Sequence, residues 1–131
     1  MVIPRFVSQA LKDEPLTVYG DGKQTRTFTY VKDVVEALMA LMGNDDAVGE
    51  VFNVGGTEEI SIIDLAKRII KETGSKSTIK LIPYDEAFGK DFEDMQRRVP
   101  GTEKIKGIIG FEPKTDFDTM LRKIVRYMKK K

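Results

Sequence analysis

Residues 19–38 read YGDGKQTRTFTYVKDVVEAL: two glycines and a lysine, then an arginine, a threonine- and aromatic-rich strand pattern, and a helix. The segment carries two candidate chemistries, a glycine-rich phosphate loop and a Tyr-x-x-x-Lys pair formed by Tyr19 and Lys23. A tyrosine acid/base tuned by a lysine needs both side chains on one face of a helix. Gly20-Asp21-Gly22 between them is a poor helix former, each glycine costing about 1 kcal/mol, so the pair points apart on a turn. Tyr127 and Lys131 match the same spacing by chance at a fraying C-terminus. A P-loop needs G-x-x-x-x-G-K-[ST], and a dinucleotide loop G-x-G-x-x-G, between a strand and a helix. Here G-x-G leads into another strand, which predicts a hairpin-type turn whose glycines accept positive φ. Arg26 then stands alone, an arginine early on a strand, where it is unusual unless it meets an anion.

Outward from this segment the periodicity predicts an α/β chain. Residues 3–12, IPRFVSQALK, place Ile3, Phe6, Val7, Ala10 and Leu11 on one helical face, with Pro4 suited to the first turn. Residues 16–20 form a short strand and residues 25–31, TRTFTYV, a second, with Arg26, Phe28 and Tyr30 on one side. Asp33 is placed as the N-cap of the next helix, with Glu36 completing a capping box and Gly43 as the stop. Residues 50–56, EVFNVGG, read as a strand ending in paired glycines. Ser61 caps a helix with Asp64 at its third position and Ile62, Leu65, Ala66 and Ile69 as the buried stripe, ended by Gly74. A strand over 78–84, a polar irregular stretch over 88–101 and a helix over 103–109 follow. The last helix starts near Asp116, with Phe117, Met120, Leu121, Ile124 and Met128 at helical spacing. The order αβ-βα-βα-β-αα is that of an α/β or α+β arrangement. Within it, VVEALMALM over 34–42 is apolar nearly all the way round, with Glu36 its one charge. A surface helix shows a polar face, so a partner, another chain or a missing domain, is expected to cover one side of it.

The bulk composition narrows the function. At 131 residues, 40% apolar and 33% charged, the chain is one domain's worth or less and ordinary for a soluble protein. A net charge of +1 argues against nucleic acid or a membrane surface as partner, and the basic run at 129–131 reads as a solvated helix end. There is no cysteine and no histidine, which removes disulfides, thiolate metal sites and any Ser-His-Asp triad. No apolar run approaches the roughly 20 residues of a membrane span, and the N-terminus lacks a secretory pattern. A soluble, cytoplasmic protein is expected. The remaining candidates are Arg97 and Arg98, whose guanidinium forks suit a phosphate, and Asn53, before Gly55-Gly56, where small groups approach ligands closely. From composition alone each arginine reads first as a surface salt-bridge partner and only second as a ligand contact.

Four segments taken together, VIPRFVSQAL, LTVYGDGKQTRTFTYVKDVVEAL, EVFNVGGTEEISIIDLAKRI and IIGFEPKTDFDTMLRKIVRYM, closely resemble the C-terminal half of the extended short-chain dehydrogenase/reductases. These are the NAD-dependent nucleotide-sugar epimerases, 4,6-dehydratases and decarboxylases, and the wording around VYGDGKQTRTF is most similar to UDP-glucuronate decarboxylases and UDP-glucose 4-epimerase relatives. The resemblance runs through nearly the whole chain. It implies a small mixed α/β lobe over 1–131 that binds the nucleotide sugar, without the N-terminal Rossmann domain that holds NAD and the catalytic Ser/Thr, Tyr and Lys. By position it implies that Tyr19 lies near the pyrimidine base, Arg26 meets the diphosphate, Asn53 lies against the substrate, and Arg98 is a second diphosphate or ribose contact. It also implies that the helix over 33–42 and the segment over 50–56 pack on the Rossmann domain. Two departures touch the loop after Phe88. The family pattern D-D-P-x-x-R-x-P-D is EDMQRRVPG here, with Met95 for proline and Gly101 for aspartate, so the following helix is expected to be capped by Thr102 with Glu103 in its first turn.

The expected partners are therefore a UDP- or dTDP-sugar, a Rossmann domain in the same or a separate chain, and copies of itself. No catalytic residue and no bound cofactor are expected in this chain, with NAD belonging to the full-length enzyme. Epimerisation, dehydration and decarboxylation stay open as the parent reaction. So does a different class of role, a non-catalytic assembly module or split subunit docking on a separate Rossmann chain. Met1 fits both a true start and an internal methionine of a longer chain.

Overall fold

The computed structural model of the protein describes residues 1–89 and 94–130. The chain is mixed α/β and separates into two compact units: residues 1–26, 60–98 and 121–131 in the first, residues 27–59 and 99–120 in the second.

In the first unit α1 (Val2–Leu11) buries Ile3, Phe6, Val7 and Ala10, the apolar face expected of it, while Leu11 is only half-buried. β1 (Leu16–Tyr19) pairs in parallel with β4 (Ile79–Ile82), with Leu16 opposite Ile79 and Tyr19 opposite Ile82. Parallel neighbours need a crossover, and α3 (Ile62–Thr73) lies within it and packs on α1 and β1. Phe6, Val7, Leu16, Val18, Leu65 and Ile69 are fully buried and form the centre of this unit. Removing that much apolar surface from water is worth about 1.5–3 kcal/mol for each large side chain. The helix signals at α3 are realised in detail. The Ser61 side chain accepts from the Asp64 amide at 3.1 Å, and Gly74 closes the helix in the left-handed conformation. Hydrogen bonds from Ser61 and Lys67 hold the Asp64 carboxyl below the usual carboxylate range.

The turn at 20–22 is not a hairpin. β1 belongs to a two-stranded sheet, while β2 (Thr25–Thr27) lies in a second sheet between β3 (Glu59–Ser61) and β5 (Arg97–Arg98). The glycines carry the chain from one sheet to the other. Gly20 has φ +66°, and a Cβ there would stand 2.4 Å from Cε2 of Tyr84, in the short helix α4 (Tyr84–Phe88).

In the second unit several boundaries differ from expectation. The strand expected over 25–31 stops at Thr27, and α2 (Val31–Met42) starts at Val31 behind Tyr30, with no side-chain cap. Asp33 is inside the first turn rather than at the N-cap. Its carboxylate accepts instead from the Thr115 amide at 3.0 Å and the Thr115 hydroxyl at 3.1 Å, and Glu36 pairs with Lys114. The strand expected over 50–56 has no regular structure, because a strand exists only as one side of a ladder and no described segment pairs with it. Gly55 still marks a close approach, to protein: a Cβ there would lie 2.6 Å from Cγ of Pro100. The helix α5 (Glu103–Ile109) follows Thr102, which stands at the N-cap but makes no capping bond through its side chain. Phe28 and Phe117 rings lie 6.0 Å apart.

The final helix α6 (Phe117–Lys129) begins after Asp116, whose carboxylate accepts from the Thr119 amide at 2.8 Å. Its buried residues are Phe117, Met120, Leu121 and Val125, with Ile124 and Met128 half-buried. The C-terminal Tyr-x-x-x-Lys match and the basic run both end at Lys131, outside the described residues. Residues 90–93 of the stretch expected to be irregular lie outside them too. Among the described residues no helix is long and apolar enough to cross a membrane, and no group of acidic residues could hold a metal ion.

Candidate functional site

A cavity of about 230 Å³ in the first unit is lined by Met1, Val2, Arg5, Tyr19, Gln24, Arg26 and Ile62. Tyr19 and Arg26, two of the four residues singled out from sequence, therefore share one concave surface. Tyr19 is the last residue of β1 and Arg26 the middle of β2, so the glycine turn that joins the two sheets also sets their spacing. The Tyr19 ring is held on two sides. The Phe88 ring meets it edge-on at 4.9 Å, and the Arg5 guanidinium stacks over it at 4.4 Å.

Arg26 is fixed rather than free. Nη1 donates to the Thr25 carbonyl at 2.8 Å and to the Met95 carbonyl at 2.7 Å, and Nη2 donates to Asp94 Oδ1 at 2.7 Å. With both partners of the ion pair about four-fifths buried, the contact is screened less than a surface pair. A guanidinium carries five N–H donors. Three are spent inside the protein, and among the described residues Nε and the second Nη2 proton have no hydrogen-bond partner. The other oxygen of Asp94 accepts from the Tyr84 hydroxyl at 3.1 Å, and that hydroxyl accepts from Gln24 Nε2 at 2.8 Å. Gln24, nearly fully buried, also donates to the Tyr19 carbonyl at 3.1 Å. A continuous hydrogen-bonded path thus joins Tyr19 to Arg26 through Gln24, Tyr84 and Asp94. Burial pushes the Tyr84 hydroxyl up to about 12, and the Asp94 carboxylate beside it adds to the rise.

Arg98 is exposed on β5, directly opposite Arg26 in the parallel register, with Arg97 opposite Thr25. The register places Arg98 rather than Arg97 beside Arg26. Asn53 lies in the second unit, exposed, and donates to the Gly101 carbonyl at 3.3 Å. Sequence reasoning missed Arg5, Gln24, Tyr84 and Asp94. Asp94 alone left a trace, as the second acid of the loop pattern that precedes the arginines.

A second cavity, of about 150 Å³ in the other unit, is lined by Asp33, Glu36, Ala37, Ala40, Glu112 and Lys114 among others. Three carboxylates against one lysine make it a poor place for a phosphate. The cation-lined cavity is the candidate site.

The family model described as GDP-mannose 4,6 dehydratase matches residues 1–124. UDP-N-acetyl-alpha-D-glucosaminuronate decarboxylase of Bacillus cytotoxicus is 39% identical over 128 residues, 98% of this chain and 40% of that protein. The epimerase Mth375 of Methanothermobacter thermautotrophicus superposes with a TM-score of 0.90 at 29% identity, over 99% of this chain and 37% of its own. UDP-glucuronic acid 4-epimerase of Bacillus cereus, solved with UDP-glucuronic acid and NAD, superposes at 0.88 and 28% identity over 99% of this chain and 40% of its own. The chain belongs to this family, the extended short-chain dehydrogenase/reductases of the epimerase and dehydratase type. It spans about two-fifths of the length of these relatives.

Proposed function

We propose that residues 1–131 form the lobe that binds the nucleotide sugar in an NAD-dependent epimerase, dehydratase or decarboxylase acting on a UDP- or dTDP-sugar. The observation that carries this reading is the convergence of Tyr19 and Arg26 on one cavity. In this reading the Tyr19 ring flanks the base and the two remaining Arg26 donors take diphosphate oxygens. Arg98, beside Arg26 in register, supplies a second cation, and Asn53 remains a substrate contact on the resemblance alone. Small-molecule sites usually enclose roughly 300–1,000 Å³. At about 230 Å³ the cavity is sized for part of a nucleotide sugar, with the rest of the cleft supplied elsewhere.

The role of the lobe is positioning. Arginines that fix the diphosphate orient the sugar so that C4 faces the nicotinamide, and orientation of this kind lowers a barrier without any group on the lobe reacting. NAD and the proton-transferring residues belong to a Rossmann domain that this lobe docks against, and the chain alone gives no turnover. The exposed apolar face of α2, with Leu38 50%, Met39 68% and Met42 88% exposed, supports such a partner. It also supports the second reading, a split subunit that docks on a separate Rossmann chain in the cytoplasm. Co-purification with a Rossmann-type protein would favour that one.

Calorimetric titration tests the binding reading. UDP or dTDP is expected to bind weakly, and Arg26→Ala to weaken it by about 1.5–3 kcal/mol, the worth of a hydrogen bond to a charged group. No nucleotide preference, or an unchanged affinity in the variant, contradicts it.

A further inference from the structure

We infer that Asp94 is a positioning residue for nucleotide binding, one that aims the Arg26 guanidinium at the diphosphate and is itself braced by Tyr84; the inference rests on the nucleotide-binding reading above. Among the described residues Arg26 bonds to two main-chain carbonyls and to one side chain, that of Asp94, whose Oδ1 accepts from Nη2 at 2.7 Å. An arginine is long and flexible, and the rotamers it gives up when it grips a ligand count against binding. Asp94 takes up that cost in advance, because the carboxylate fastens the tip of the side chain before a ligand arrives. One residue on, the Met95 carbonyl accepts from Nη1 at 2.7 Å, so the segment that starts at Asp94 closes on Arg26 at two points.

A carboxylate that merely held the place of a phosphate would be loosely tied and ready to leave. Asp94 is tied on its far side as well. Its Oδ2 accepts from the Tyr84 hydroxyl at 3.1 Å, and that hydroxyl accepts at 2.8 Å from Gln24, which is nearly fully buried. The Tyr84 ring is seated in turn against Gly20, where a Cβ would stand 2.4 Å from Cε2. Displacing Asp94 therefore breaks the Tyr84 bond along with the Arg26 ion pair, which marks the carboxylate as a support. Its negative charge opposes a phosphate, but it does not leave the neighbourhood anionic. Arg5 lines the same cavity with no described carboxylate paired to it, and Arg98 lies exposed opposite Arg26.

UDP titrations followed by nitrogen-15 NMR on the wild type, Asp94→Ala, Arg26→Ala and the double variant test this, with circular dichroism melting to verify that each variant folds. Asp94→Ala is expected to lower UDP affinity about three- to tenfold, the range that ordering one flexible side chain on binding costs. With Arg26 already replaced by alanine, the same change should cost less than about twofold, because a residue that acts through another is not additive with it. Tyr84→Phe, which keeps the ring and removes the hydroxyl, should give a smaller loss that also vanishes in the Arg26→Ala background. If Asp94→Ala does not fold, Asp94→Asn takes its place in the cycle, with the same pattern expected. UDP affinity unchanged or raised by Asp94→Ala, while Arg26→Ala loses it, would make Asp94 a competitor of the phosphate and overturn the inference. An equal loss in the Arg26→Ala background would overturn it too, since the effect would not pass through Arg26. A wild type that does not bind UDP, or an Arg26→Ala variant that binds it as well as the wild type, removes the nucleotide-binding reading itself, and the role of Asp94 with it.

Discussion

Gln24 is 5% exposed and lies within residues 19–38, yet its local sequence says nothing of its task. It links the Tyr19 carbonyl to the Tyr84 hydroxyl, and through Tyr84 and Asp94 to Arg26. Tyr84 and Asp94 are 60 and 70 positions away in sequence, so no window of residues reveals the path. Arg26 was legible because a charge on a strand among threonines asks for an anion. What could not be read is that the first anion it meets is its own Asp94. The path has a measurable signature in Tyr84. Its folded value, about 12, lies above the ordinary 10, so the fold favours the protonated phenol. The stability this contributes is complete below about pH 10 and is lost as pH rises from there through about 12. In an alkaline absorbance titration, Tyr84→Phe is expected to remove a phenolate component with a midpoint near 12. Loss of a component near 10 instead would contradict the buried hydrogen bond.

Elements whose signals are local were the ones read correctly. Ser61, Asp64, the stripe of Ile62, Leu65, Ala66 and Ile69, and Gly74 specify α3 within fourteen residues, and every one of them holds its expected place. Elements whose boundaries depend on distant groups were misread. Asp33 has the pattern of an N-cap, but Thr115 offers both an amide and a hydroxyl to its carboxylate from 82 positions away, and the helix starts at Val31 without it. The EVFNVGG segment has the composition of a strand and lacks a neighbour to pair with. Arg97 and Arg98, read as loop, form β5 because β2 offers them an edge. The all-round apolar character of α2 was also legible, and the structure gives it a scale: among its residues only Asp33 and Ala37 are buried. Exposed apolar surface of that kind drives association. Sedimentation of the isolated chain is expected to show concentration-dependent self-association, reduced when Leu38, Met39 and Met42 are replaced together by glutamine. A monomer at all concentrations would contradict a docking role for this face.

At the scale of the whole molecule, family membership and function separate. The family follows from matches that run the length of the chain, and the α/β class from periodicity alone. The activity of the relatives belongs to proteins about two and a half times as long, and for this chain it enters as the proposal that a lobe holds the nucleotide sugar while its partner domain reacts it. The cavity is small for a complete substrate, its cations lie on α1 and β2, and none of its lining residues is a base suited to neutral pH. These three features are what the proposed holding role requires. The most direct measurement is nitrogen-15 NMR of the chain titrated with UDP. The account predicts saturable shifts concentrated at residues 2–5, 18–26 and 94–98, with the helix over 31–42 unmoved. Shifts confined to that helix, or no saturable shift at millimolar UDP, would contradict it.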